Sequence, residues 1–335
     1  MKKFIIIILS FLSMVLFIVI NFEKPEKEID VINSLIVYSP HPLSFIEPLI
    51  NKFESEQGVR VKIISKGSGE LLNRIEDEKF YGDIIWGGSL STLLPEVDYF
   101  EKYISVNEKY ISEKYKNKSG RITRFTAVPS VLMVNENLVG DVKIDGFKDL
   151  LNPKLKGKIA SAYPFKSSSS FEHLINQLYV MGGDNKKGWS YIKKLIKNID
   201  GKELKRSSEV YKGVVNGKYT VGCTFEEAAA NYVKNGAPIK IVYPVEGTII
   251  RPDGVAIIKG SKNLENAKKF IDFLTSKEVQ TFIAKDLNRR SVRKDVKISK
   301  GLKLISEIKV VDDDLIWVVE NKNRILDKYK GYLKE

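Results

Sequence analysis

The sequence predicts an α/β protein built as two lobes joined by two crossover strands. Three observations carry this expectation. Apolar β-type runs alternate with amphipathic helical stretches from residue 33 onward, and the alternation occurs in two separate blocks. The two longest β-type runs, TRFTAVPSVLMVN (123–135) and IIRPDGVAIIKG (249–260), lie where one block gives way to the other. In the first block SLIVYS (34–39) reads as a buried strand. SFIEPLINKFESEQG (44–58) reads as a helix with Phe45, Leu49, Ile50 and Phe53 on one face and Gly58 as its stop. VRVKIIS (59–65) is a second strand, GELLNRIEDEK (69–79) a second helix and GDIIWGG (82–88) a third strand, the order of a parallel sheet covered on both faces. The second block repeats this grammar with GKIASAY (157–163), helices over about 169–181 and 186–198, YTVGCTF (219–225), an Ala-rich helix and IKIVYP (239–244). Pro129 and Pro252 interrupt the two connections. Crossing there divides the body into one lobe of 33–126 plus 250–285 and another of 127–249 plus 286–335, with a cleft between them.

Composition removes several function classes. The 335 residues carry 55 Lys+Arg against 42 Asp+Glu, a formal charge of +13, with two histidines and one cysteine. Cys223 alone can form neither an internal disulfide nor a cysteine zinc cluster, and no metal site or cofactor is expected. The basic residues are scattered among acids rather than gathered with aromatics, so no nucleic-acid partner is expected. A small anionic solute, or the anionic surface of a bacterial envelope, accounts for the charge.

The amino terminus opens with Lys2 and Lys3 before FIIIILSFLSMVLFIVI (4–20), in which Ser10 and Ser13 alone are polar. Residues 1–22 therefore read as a membrane-targeting segment with the body exported, and 23–32, containing Pro25, as an extended linker. No small-residue cleavage pattern precedes Glu23 and no cysteine follows the run to accept a lipid, which favours a retained anchor on the outer face of the cytoplasmic membrane. A cleaved signal is the alternative.

Candidate binding residues gather at strand ends and helix starts. Ser167, Ser168, Ser169 and Ser170 follow an apparent strand and open a helix, where hydroxyls and unpaired first-turn N–H groups converge on the positive end of the helix dipole and suit an anion. Simple capping by serine is the competing explanation. Ser68 with Gly69, and Gly88 with Ser89, form two further small-residue turns, while Trp86 is expected in the core. Ser39 ends the first strand, and His41 sits just beyond it between Pro40 and Pro42, either as a ligand contact or as an exposed loop residue. His173, inside the serine-led helix, is expected to be structural. Arg289, Arg290 and Arg293 are either phosphate forks or a surface basic cluster.

The motifs VYSPHP, GSGELLNRI, GDIIWGGS, DLLNPKLKGKIASAYPFKSSSSFEHLI, VVNGKYTVGCTFEEAAANYVKNGAPIKIVYP and LNRRSVR, in that order, resemble the extracellular solute-binding proteins of ABC transporters. Within them they resemble the branch of ferric-iron-, aminoethylphosphonate- and hexose-phosphate-binding proteins. The resemblance implies a periplasmic-binding-protein fold of type II, a monomer that closes on a small ligand, delivers it to a membrane permease and catalyses nothing. In relatives the matching serine turn contacts phosphate or carbonate, and a histidine at the place of His41 coordinates iron. Ferric-binding members present two adjacent tyrosines where this chain has Phe225, Glu226 and Glu227, and a carboxylate where it has Gly87, Gly88 and Ser89. A phosphorylated sugar fits better, with serines on the phosphate and Glu226, Glu227 or Glu246 accepting from hydroxyls. Three alternatives remain: a sugar-phosphate sensor working with a membrane histidine kinase, a ferric-iron transporter, and an exported phosphatase that would lack an evident nucleophile.

The anchor reading has a direct test. Mature protein should fractionate with membranes and begin at Met1 or Lys2; released protein beginning near Glu23 would overturn it.

Overall fold

The computed structural model of the protein describes residues 33–75 and 81–335; the expected anchor and the end of the second helix, 76–79, lie outside the described residues. Among the described residues nine strands form one continuous sheet: β1 (Ser34–Ser39), β2 (Arg60–Ser65), β3 (Ile84–Ser89), β4 (Thr123–Asn135), β5 (Ile159–Ala160), β6 (Val221–Phe225), β7 (Ile239–Val242), β8 (Ile250–Ile257) and β9 (Arg290–Ser291). The order is β2-β1-β3-β8-β4-β6-β5, with β7 and β9 also on β4. β1 pairs β2 and β3 in parallel, β5 pairs β6 in parallel, and every pairing of β4 and β8 is antiparallel.

β4 is shared between the two halves. Thr123 to Pro129 pair with β8, while Ser130 to Val134 pair with β6. Pro129, opposite Ile250, stands at the changeover, where a residue without an N–H costs the ladder least. β8 continues the other way, onto β3 through Asp253 to Ile257.

Alternation along the strands builds a core on each face of each half. In the first lobe Leu35, Val37, Ile84, Trp86, Val255 and Ile257 face α1 (Leu43–Gln57) and α8 (Leu264–Thr275), where they meet Phe45, Leu49, Phe53 and Phe270. Tyr38, Ile85 and Ala256 point the other way, toward α2 (Ser68–Ile75) and α3 (Leu90–Leu93). In the second lobe Leu132, Val134 and Val221 face α4 (Ser168–Val180) and α5 (Lys186–Ile199). Val131 and Met133 face α6 (Ser207–Val215) and α7 (Glu226–Lys234). Gly58 ends α1 at φ 64° with its N–H on Glu54 O, as the sequence predicts. β5 is far shorter than the GKIASAY run, because the chain leaves the ladder after Ala160 and Ala162 makes only an isolated bridge to Leu204.

After α9 (Lys277–Asp286) and β9, the chain ends in α10 (Leu315–Glu320) and α11 (Lys322–Tyr332). Val318, Ile325 and Tyr329 bury in the second lobe, while Leu315 packs against the first. Thr248 N donates to Lys309 O at 2.8 Å and Val311 N to Thr248 O at 2.9 Å, fixing this terminal segment beside the crossover. Among the described residues no helix is long and apolar enough to cross a membrane.

Phe270 is fully buried, with its ring 4.9 Å from Phe53 and 5.3 Å from Trp86. Phe270→Ala should cost about 3–5 kcal/mol in urea unfolding, against about 0.5 kcal/mol or less for Ile316→Ala at an exposed site. Equal losses would contradict the packing.

Candidate binding cleft between the lobes

Two helix starts, one from each lobe, meet across the cleft. Ser68 opens α2 and Ser168 opens α4, and Ser68 Oγ donates to Ser168 Oγ at 2.8 Å. Ser167 is the N-cap of α4, its hydroxyl accepting from Ser170 N at 3.3 Å. The N-terminal ends of both helices therefore lie at one small region, and their two positive dipole ends add there. Beside it β3 ends in two glycines at positive φ, Gly87 at 112° and Gly88 at 98°, where the ladder to β8 shifts register. The turn is tight: a Cβ on Gly87 would stand 2.6 Å from His41 Nε2, and one on Gly88 would stand 4.0 Å from Ser68 Cβ. Adjacent glycines thus bring His41 and Ser68 against one backbone turn.

His41 is buried against Phe45, Trp86 and Phe125. Burial and the neighbouring Arg289 hold its imidazole well below its usual pKa. Its Nε2 has no hydrogen-bond partner and lies 3.7 Å from Asp253 Oδ2. Arg289 sits over the Phe45 ring at 4.6 Å, with Nε 2.5 Å from Glu227 Oε2 and NH1 3.0 Å from Asp253 Oδ2. These are ion contacts whose N–H groups are not aligned on the carboxylates as hydrogen bonds. Burial raises Glu227 against the pull of Arg289, and burial pushes Asp253 up to about 6, with Arg289 opposing and Glu227 and Glu172 adding to the rise. One guanidinium, two carboxylates and a neutral imidazole make a cluster rich in acceptors, with one more acid than base.

A second junction surrounds Glu172, one turn after Ser168 on α4. Its Oε1 accepts from Ser89 Oγ at 2.6 Å and from Ser91 Oγ, and its Oε2 accepts from Arg251 Nε at 2.8 Å. Arg251 also forks onto Asp313, NH1 to Oδ1 at 3.0 Å and NH2 to Oδ2 at 2.5 Å. Burial would raise the Glu172 pKa, but Arg251 and the hydroxyls of Ser89 and Ser91 outweigh it and hold the carboxyl below its usual range.

A two-lobed sheet with shared crossover strands and anion-type helix ends at the lobe junction is the architecture of a closing receptor. The family model for bacterial extracellular solute-binding proteins matches residues 87–314. The chain belongs to that family. It is therefore a solute-binding receptor, extracellular or periplasmic, and not an enzyme. The receptor superposes on the periplasmic binding protein AfuA of Actinobacillus pleuropneumoniae, solved with fructose-6-phosphate, at a TM-score of 0.82 and 27% identity over 90% of this chain and 99% of that one. It is 30% identical to a solved protein described as a two-component system protein mediating signal transduction, with a TM-score of 0.73 over 86% of this chain and 99% of that one. Iron uptake protein A1 of Synechocystis is 25% identical over 82% of this chain and 79% of its own.

Of the residues singled out in the sequence, the receptor brings His41, Ser68, Gly88, Ser89, Ser168 and Glu227 to the lobe junction, with Gly69 in the first turn of α2 and Ser167 and Ser169 flanking the α4 start. Ser39 lies behind them: its hydroxyl donates to Trp86 O at 2.7 Å and accepts from His41 N at 3.3 Å, shaping the loop. Ser170 is buried within α4. Glu226 is occupied by Arg290, both contacts at 2.6 Å, and by the Tyr243 hydroxyl. Phe225 lies against His173, ring centroids 4.6 Å apart. Glu246 caps a 3-10 turn, accepting from Phe147 N and Lys148 N at 2.9 Å each. Arg289, Arg290 and Arg293 are not a surface cluster, since each is buried and faces a carboxylate. Sequence patterning does not single out Glu172, Arg251, Asp253 and Asp313 as functional. The available signal was Arg251 and Asp253, two charges inside an otherwise apolar crossover run.

His173 is buried, Nδ1 2.8 Å from Ser130 Oγ, and burial lowers its ring to about 4. A depressed histidine contributes stability that is present above the unfolded value near 6.5 and is lost as pH falls toward the folded value. NMR of the two imidazoles should therefore show neither ring titrating near pH 6.5, and a midpoint there for either would contradict the buried placement.

Proposed function

We propose that the receptor captures a small phosphorylated polyol, with a hexose phosphate as representative, and delivers it to the permease of an ABC transporter. The observation that carries the reading is the Ser68 to Ser168 contact, because it sets two helix N-termini from opposite lobes on one point. A phosphate there would receive backbone N–H groups and hydroxyls from both sides, so that binding would favour closure. The remainder of the ligand would meet His41, Asp253, Arg289 and Glu227. Their surplus of acid disfavours a second anion and suits hydroxyls, which donate to carboxylates and accept from Arg289. The fructose-6-phosphate in the AfuA relative supports this ligand class. Iron is the weaker reading, because Phe225 and Glu226 stand where a tyrosine pair is expected and Glu226 is already tied to Arg290. A sensing role beside a histidine kinase has one observation in its favour, the 30% identity to the two-component protein, and neighbouring permease or kinase genes would discriminate.

Calorimetry should show binding of glucose 6-phosphate and none of glucose, with no coloured complex on adding ferric citrate. Replacing Ser168 and Ser169 together by alanine removes hydrogen bonds to a charged group, roughly 1.5–3 kcal/mol each, and should weaken binding at least about tenfold while the protein stays folded. Unchanged affinity would move the phosphate elsewhere, and failure of every phosphorylated compound would remove the ligand class.

A further inference from the structure

We propose that Glu172 is a positioning residue for lobe closure, tying the ligand-bearing end of α4 to the first lobe and, through Arg251, to the C-terminal segment. The inference rests on the anion reading of the α4 start, but its own evidence is separate.

The evidence is a stripe on a single helix. Ser168, Glu172 and Asn176 recur every four residues of α4 and so share one face. Ser168 meets Ser68 of the first lobe, Glu172 meets Ser89 and Ser91 of the first lobe, and Asn176 Oδ1 accepts from Ile249 N at 2.8 Å beside the crossover. Glu172 and Asn176 are buried, where an unpaired polar group is costly, so the Glu172 contacts fix how α4 sits against the first lobe and the Asn176 contact fixes it beside the crossover.

The two oxygens of Glu172 have different duties. Oε1 takes hydroxyls that belong to the first lobe, contacts that hinge opening would break. Oε2 takes Arg251, which stands on β8 opposite Val128 of β4, where the halves join and opening displaces the chain least. On this proposal the carboxylate is held at the hinge line through one oxygen and releases its first-lobe partners through the other. Ser89 and Ser91 lie 3.0 Å apart and can pair with each other once Glu172 leaves. Arg251 carries the connection onward to Asp313, just before α10. In that segment Leu315 packs on the first lobe while Val318 buries in the second, so it spans the moving boundary. Lys322 of α11, whose pKa burial holds below its usual value against the pull of Glu172, and Asp253 of β8 also feel this carboxylate.

Glu172→Gln keeps the shape and one acceptor but removes the charge, while Ser91→Ala removes one first-lobe hydroxyl and leaves Glu172 with Arg251. Spin labels on Ser55→Cys in α1 and Lys194→Cys in α5 report the interlobe distance, and the native Cys223 is buried away from label. Both variants should shift the distances toward longer values and weaken glucose 6-phosphate binding about tenfold, with Ser91→Ala leaving the melting temperature nearly unchanged. A merely structural role would lower the melting temperature and leave distances and affinity at their parent values, which would overturn the proposal. Should no phosphorylated compound bind the parent protein, the ligand reading falls alone: longer distances in both variants still support the role of Glu172, and unchanged distances refute it.

Discussion

The antiparallel pairing of β4 with β8 is the constraint from which the rest of the molecule follows. β4 runs out of one half-sheet and into the other, pairing first with β8 and then with β6 and β7, so the lobes share a continuous ladder instead of a flexible tether. A ladder resists sliding, because a one-residue slip would turn every side chain to the wrong face. It yields by twisting and bending, and Pro129 and Pro252 weaken it locally by withholding donors. Opening of the cleft would therefore turn about a fixed line. Everything that binds or latches must reach that line from a neighbouring element, and α4, the Gly87–Gly88 turn and the C-terminal segment all do.

Charges buried on that line would be a liability if unpaired. Arg251 and Asp253 point from β8 into protein, and each is met by opposite charge from another part of the chain: Glu172 and Asp313 for Arg251, Arg289 for Asp253. Such pairs rarely add net stability over apolar residues of the same shape, since desolvation offsets attraction. What they supply is a definite geometry, because removing either partner strands the other. At a hinge this favours a few discrete arrangements over a continuum.

The strands and helices were largely legible, since the buried strands are mainly apolar runs and the long helices show an apolar face, from SLIVYS to the Phe45, Leu49 and Phe53 stripe. Local signals also marked the α4 start and the glycine turn. The partnerships were not legible. Nothing local distinguishes Glu226, locked to Arg290, from Glu227, which faces the cleft, for they are neighbours in one helical turn and differ only in direction. Glu246 reads as a free acid in sequence because the N–H groups it caps are about a hundred residues away. Glu172 sits in an ordinary helical run, and only the fold supplies Arg251, Ser89 and Ser91.

The distribution of charge also bears on release. The chain carries a formal +13, yet around the junction the four arginines 251, 289, 290 and 293 face six carboxylates: Glu172, Glu226, Glu227, Asp253, Asp295 and Asp313. The positive surplus lies elsewhere, on exposed lysines. From there it attracts anions at a distance, an effect that fades within about 8 Å at physiological salt. At contact the anion would meet partial charges, N–H groups and hydroxyls at two helix ends, rather than free guanidinium forks. Partial charges distributed over two lobes lose half their strength once the lobes part, because one helix end leaves with each lobe. A receptor that must surrender its ligand gains from that arrangement: opening alone would weaken the site, and no buried full charge would have to be stripped from a phosphate bound as proposed.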